Sequence, residues 1–176
     1  FSESPFIYWL KSEVVEKISK LKNIDPSACT LRVGLQTGND YRFLRLWSEI
    51  PPEEVISPTN AKTSLEVEMQ SMKLANGLKG FAWYSKTDVA SPFLASIHLC
   101  VNWKNCGKEI KQYHIGNGHS ASKYVMSEDH YFRAGFSYML RSVRLVPYVV
   151  PYGVIPSAGR SQVYPILHLK EWLLLV

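Results

Sequence analysis

The sequence predicts an α+β fold: one β-rich domain of mixed sheet with a few short helices. Three observations carry that prediction. Segments of β-branched and aromatic residues, such as GFAWYS (80–85) and SIHLCVNW (96–103), outnumber helical patterns. Five Trp and ten Tyr favour sheets and flat binding surfaces. Strands and helices do not alternate in the regular way that builds a parallel sheet.

The elements follow in order. KSEVVEKISKLKNI (11–24) places Val14, Val15, Ile18 and Leu21 at helical spacing, with Ser12 positioned to cap. Residues 29–36 read as a strand and 42–50 as a second one, ended by Pro51-Pro52. Between them Gly34 and Gly38 bracket a tight connection, the pattern of a chain reversing with its backbone free to come close to something. Residues 52–64 read as a loop, and LEVEMQSM (65–72) fits helix or strand. GKEIKQY (107–113) is a short helix, and VRLVPYVVPYGVIPSAG (143–159) mixes strand residues with prolines, which belong at strand edges and ends. ILHLKEWLLLV (166–176) is a final helix.

At 176 residues, with 46% hydrophobic and 20% charged residues, the chain fits one globular domain spanning 1–176 with a proper core. It lacks an initial Met and stops inside an apolar run, so it is expected to be a piece of a longer protein. Cys29, Cys100 and Cys106 are too few and odd in number for a disulfide framework, and suggest a reducing cytoplasm. No apolar run approaches the ~20 residues of a membrane span. The net charge is +5, and from Met69 to Pro165 eleven Lys and Arg stand against four acids. An anionic partner would meet this later part of the chain first.

Signals for chemistry are weak. There is no P-loop, and GNGHS (116–120) lacks the strand-before, helix-after setting of a dinucleotide fingerprint. Cys100, Cys106, His114 and His119 form a poor zinc set, because five residues separate the cysteines where two to four are usual. Asp88, Glu109 and Lys111 have the residue types of a nuclease that chelates Mg²⁺ and positions a water. A charged exposed helix explains Glu109 and Lys111 better. No Ser or Cys has the surroundings of a nucleophile. The chain is therefore expected to be non-catalytic, with no metal and no cofactor of its own. What remains is a set of amide, hydroxyl and basic side chains among aromatics: Gln36, Thr37, Asn39, Arg42, Arg45, Lys86, Arg133, Ser137, Arg141 and Arg160. Arg and Lys grip phosphates or guanine edges, Gln and Asn read adenine, and Ser or Thr does either.

Six segments in order add to this: SPFIYWLKSEVVEKI, VGLQTGNDYRFLRLW, FAWYSKTD, HLCVNWKNCGKEIKQ, HYFRAGFSYMLRS and VPYGVIPSAGRSQVYP. Together, from about Ser4 to Pro165, they resemble the TaqI-like specificity domain of N6-adenine DNA methyltransferases, nearest to the large enzymes of phage-defence and restriction–modification systems. One departure is Lys86-Thr87-Asp88, where that family usually has Lys-Gly-Gly. The resemblance implies a target-recognition piece that holds double-stranded DNA. A catalytic domain of the same chain, carrying S-adenosylmethionine and an Asn-Pro-Pro-Tyr motif, would then flip and methylate adenine. Neither Asn-Pro-Pro-Tyr nor Asp-Pro-Pro-Tyr occurs in these residues. On this reading Gln36, Thr37, Gly38, Asn39, Arg42, Lys86, Arg133, Ser137, Arg141 and Arg160 bind DNA. Arg42 would sit on phosphate and Arg45 on an acid or aromatic, with Arg133 and Ser137 near the Gly34–Gly38 turn. The alternatives are a plain hairpin at those glycines, a Mg²⁺-dependent nuclease fragment, and a protein–protein module.

Overall fold

Nine strands among the described residues divide into two sheets. A computed structural model of the chain describes residues 11–20, 24–56, 65–66, 69–70, 73, 80–86, 93–94, 97–139 and 146–165. The strands are β1 (Cys29–Val33), β2 (Leu44–Leu46), β3 (Phe81–Ser85), β4 (Phe93–Leu94), β5 (Leu99–Asn102), β6 (Gly135–Met139), β7 (Tyr148–Val150), β8 (Val154–Pro156) and β9 (Arg160–Pro165). One sheet runs β1-β9-β6-β7-β4 and the other β2-β5-β3-β8. Most pairs are antiparallel, but β3 with β8 and β4 with β7 are parallel. The mixed, β-rich α+β class expected from the sequence is what the chain adopts. Helices are α1 (Ser12–Ser19), a short turn α2 (Ile24–Ser27), α3 (Asp40–Phe43) and α4 (Lys104–Gly116). Among the described residues no helix is long and apolar enough to cross a membrane.

The second sheet is apolar on both faces, which explains the unbroken hydrophobic runs of β3 and β5. The register pairs Ala82 with Val101 and Trp83 with Cys100, so alternation sends these two pairs to opposite sides. Ala82, Tyr84 and Val101 join the main core with Leu35, Phe43, Trp103, Ile110 and Ile155. Cys100 packs with Ile50 and Val55 on the other face, against Phe81 and Trp83. Burial pushes the Cys100 thiol up to about 11, which leaves it unreactive. In α4, Gly107, Ile110 and His114 are the buried residues, a helical stripe of three- and four-residue steps. The helix begins irregularly: Asn105, Cys106 and Gly107 have φ of 52°, 53° and 68°.

The connection through the two glycines is not a hairpin. β1 pairs with β9 and β2 with β5, so residues 34–43 carry the chain from one sheet to the other. Three short devices replace the expected turn and long second strand. Leu35 bridges Ser157 and Val125, α3 forms at 40–43, and β2 is only three residues long before a 3₁₀ turn at Trp47–Glu49. Gly34 is required by the first device. A Cβ built there would stand 2.5 Å from the Pro156 carbonyl carbon and closer still to its oxygen. Two more crossings between the sheets are made by Pro151-Tyr152-Gly153 and by Ser157-Ala158-Gly159. The prolines sit where the sequence suggested, at strand ends: Pro156 closes β8, an outer strand of its sheet, and Pro165 closes β9. The proposed helix at 166–176 lies outside the described residues, and of LEVEMQSM only 65–66 and 69–70 are described, all four helical.

Gly34→Ala is expected to lower the urea midpoint of the chain, with a loss of about 1–3 kcal/mol or failure to fold, because the clash is with backbone that cannot yield. A midpoint equal to that of the wild type would show that Pro156 does not press on residue 34.

Candidate functional site

Several strand ends arrive at one place. The register pairs Val33 with Ser161, Met139 with Arg160, and Ser85 with Pro156. The last residues of β1, β3, β6 and β8 and the first of β9 therefore lie together. Between them opens a cleft of about 610 Å³, lined by Gln36, Thr37, Gly38, Lys86 and Arg160 among others. Those five side chains and backbones come from three distant stretches of sequence. The sequence reading chose all five.

Each wall has a local cause. Leu35 N–H donates to the Pro156 carbonyl at 2.8 Å, and its own carbonyl accepts from Ala158 N–H and from the Tyr84 hydroxyl, both at 2.9 Å. Thr37 is buried, its carbonyl facing His114 Nε2 at 2.9 Å. Gly38 follows with φ +72°, where a Cβ would overlap the His114 ring, 3.0 Å from Nε2 and closer to Cε1. The His114 ring is fixed in turn by stacking on Tyr124, 3.6 Å between centroids and 9° from parallel. So the glycines that looked ready to approach a ligand approach the fold itself: a β8 carbonyl and a histidine ring.

Asp40 stands at the electrostatic centre of the cleft. Its two carboxylate oxygens take a hydrogen bond from the Thr37 hydroxyl and an ion pair with Lys86. Burial alone would raise the Asp40 carboxyl, but the bonds from Lys86 and Thr37 and the Lys86 charge outweigh it and hold it below the ordinary value. In Tyr84, burial and the nearby Asp40 charge push the phenol well above its usual value, so it serves as a neutral donor. Arg160 is 4% exposed, its guanidinium 5.1 Å from the Tyr148 ring centroid.

The remaining predicted site residues lie elsewhere. Asn39 caps α3, its side-chain oxygen accepting from Arg42 N–H at 3.1 Å. Arg42, expected on phosphate, instead gives Nε and Nη2 to Glu109 Oε1 at 3.0 and 2.9 Å. Its guanidinium lies 5.4 and 5.3 Å from the Phe43 and Tyr113 rings. Arg45, expected on an acid or aromatic, donates to the Tyr41 and Leu44 carbonyls at 2.8 and 2.6 Å. The two arginines do not share a strand, since Arg42 is helical and Arg45 extended. Ser137 is fully buried and accepts from Gln162 Nε2 at 2.8 Å, directly across the β6–β9 pair. It therefore faces no duplex. Arg133 precedes β6, at the end remote from Met139. Its neighbour Phe132 bonds to Val154, where β8 begins, while the cleft lies where β8 ends. Arg133 is thus not beside Gly38. Arg141 lies outside the described residues, as do Thr87 and Asp88.

Glu109 is further occupied by Asn102 Nδ2 at 2.9 Å, and Lys111 pairs with Glu128 at 2.8 Å. Neither is poised with the other as a nuclease would need. Among the described residues, no three His, Cys, Asp or Glu come together as a metal site. Sequence reasoning missed Asp40, Tyr84, Met139 and the Ser157–Gly159 turn as cleft residues. Strand alternation marks Tyr84 as inward-facing, and Asn39-Asp40 has the form of a helix start. Nothing local marks residues 157–159, which the fold alone brings in. A comparison with models of known protein families finds no match to the chain, and neither does one with curated protein sequences.

Ser137→Ala should cost about 1–3 kcal/mol of stability, since it strands the buried Gln162 amide, and should leave the affinity of the folded chain for duplex DNA unchanged. Thermal unfolding and a DNA titration on the same sample check both. A weaker DNA affinity without loss of stability would return Ser137 to the surface.

Proposed function

We propose that this chain is the duplex-DNA recognition part of an adenine-specific DNA methyltransferase of the restriction–modification type. It would hold its target in a reducing cytoplasm while a catalytic domain of the same protein, with S-adenosylmethionine, methylates the base. The observation that carries the reading is the convergence of Gln36, Thr37, Gly38, Lys86 and Arg160, the DNA-binding types expected from sequence, on a single cleft. Such convergence of residues from separate segments on a cavity of this size is the usual form of a binding site. Two further features support it: the excess of basic residues after position 69, and the ordered resemblance of six segments.

A duplex is too wide to enter the cleft and would lie across its rim. Exposed Gln36 offers an amide of the kind that pairs with adenine. Lys86 offers a part-exposed ammonium that an approaching phosphate can share with Asp40. Thr37 has its hydroxyl committed to Asp40 and so shapes the wall rather than reading a base. Arg42 and Lys111, each held by an acid, give less to a phosphate than their charge suggests.

Titration of the chain with duplex DNA across a salt series tests the proposal. Affinity should fall as salt rises, the log–log slope steepening by about 0.9 for each phosphate neutralised. Lys86→Ala should weaken binding to every duplex and flatten that slope by about one unit if the lysine touches phosphate, or relax one base position by about 1–3 kcal/mol if it reads a base. No binding at low ionic strength would overturn the proposal.

A further inference from the structure

Arg160 is the least expected side chain in the cleft. It is nine-tenths buried and lines the cavity. Its guanidinium packs on the Tyr148 ring, and none of the ion pairs among the described residues includes it. A guanidinium stays charged at any physiological pH, and the Tyr148 face it packs on is a weaker partner than an acid. The cleft wall thus carries a cation that no acid neutralises, with a fork of donors that matches the oxygens of a phosphate. Lys86, from a different strand, supplies a second cation, and its present partner Asp40 is half-exposed and so easily left.

The rest of the cavity is of another character. Half-buried Met139 gives it apolar surface and exposed Gln36 an amide, with buried Leu35 and Tyr84 forming the wall behind. Its volume of about 610 Å³ lies within the ~300–1,000 Å³ of small-molecule sites. It is too large for a lone phosphate and far too small for a duplex. We propose that the cleft takes one unstacked nucleotide, its phosphate on Arg160 and Lys86 and its base toward Gln36 and Met139. Departure of Lys86 leaves an Asp40 oxygen free to accept from an exocyclic amine, as adenine and cytosine carry. The proposal rests on the DNA reading for the source of that nucleotide, an extruded residue of a strand, but not for its chemistry, which a free nucleoside monophosphate shares.

Two sets of titrations separate the sources. The first compares a fully paired duplex with the same duplex carrying a one-nucleotide bulge, where extrusion costs little. The second uses dAMP, dCMP and inorganic phosphate. Tighter binding of the bulged duplex by about tenfold or more would mark an extruded nucleotide. Binding of dAMP or dCMP with no duplex binding would mark a free one, and would defeat the DNA reading while leaving the site standing. In either case Arg160→Gln should abolish the preference. Because that variant could fail to fold, Gly159→Val provides a second route: Gly159 lines the cleft and a Cβ there meets nothing within 4 Å, so bulk is added at the cleft wall without disturbing the core. It too should remove the bulge preference or the nucleotide binding. Equal binding of bulged and paired duplex together with no binding of either nucleotide would overturn the proposal. So would inorganic phosphate binding as tightly as the nucleotides.

Discussion

The backbone of Leu35 is hydrogen-bonded to two other parts of the chain through both its polar groups. Its N–H is given to Pro156, and its carbonyl receives Ala158 N–H and the Tyr84 hydroxyl. These bonds join the segment leaving β1, the end of β3 and the turn between β8 and β9. Leu35 is fully buried, where an unpaired backbone group is expensive, so the three segments are bound to one arrangement. Gly34 is what allows it, since any side chain there would collide with the Pro156 carbonyl. The cleft is the space left beside this junction. Its walls are set by backbone, and the polar side chains at its edge inherit their positions from it.

Charge is distributed around the cleft more selectively than the net value of +5 suggests. Arg42 and Lys111 are held by Glu109 and Glu128, on and around the outer side of α4. In the cleft, Lys86 shares one carboxylate with Thr37, and Arg160 faces an aromatic ring. Exposed ion pairs in water are weak, so the Lys86 pair can open at little cost. Net charge therefore ranks the surfaces poorly. The number of cations per available acid at each surface matters more, and in the cleft Lys86 and Arg160 share the single acid Asp40.

The fold class was legible because it depends on composition and period: FAWYS and the stretch around LCVN had to be strands, and EIKQY had to be helical. The path of the chain was less legible. Gly34 and Gly38 have the spacing of a hairpin, and only the pairing of β1 with β9 and β2 with β5 reveals a crossing between sheets. The same limit governed the site. Residue types that bind phosphates and bases were visible at Gln36, Thr37, Lys86 and Arg160, but the same types appeared at Asn39, Arg42 and Ser137. There the fold uses them as a helix cap, an ion pair and a buried cross-strand bond. A side chain's chemistry is written in the sequence, whereas its prior commitment to a neighbour depends on contacts between residues as far apart as 42 and 109.

The proposed DNA reading makes residues 35–38, 84–86 and 157–160 one surface against the duplex. Hydrogen exchange of the chain, followed with and without duplex DNA at low salt, tests it most directly. These three segments should gain protection together, while amides around Glu128–Arg133 and along the outer face of α4 exchange as before. Protection confined to those latter regions, with the three cleft segments unchanged, would contradict it.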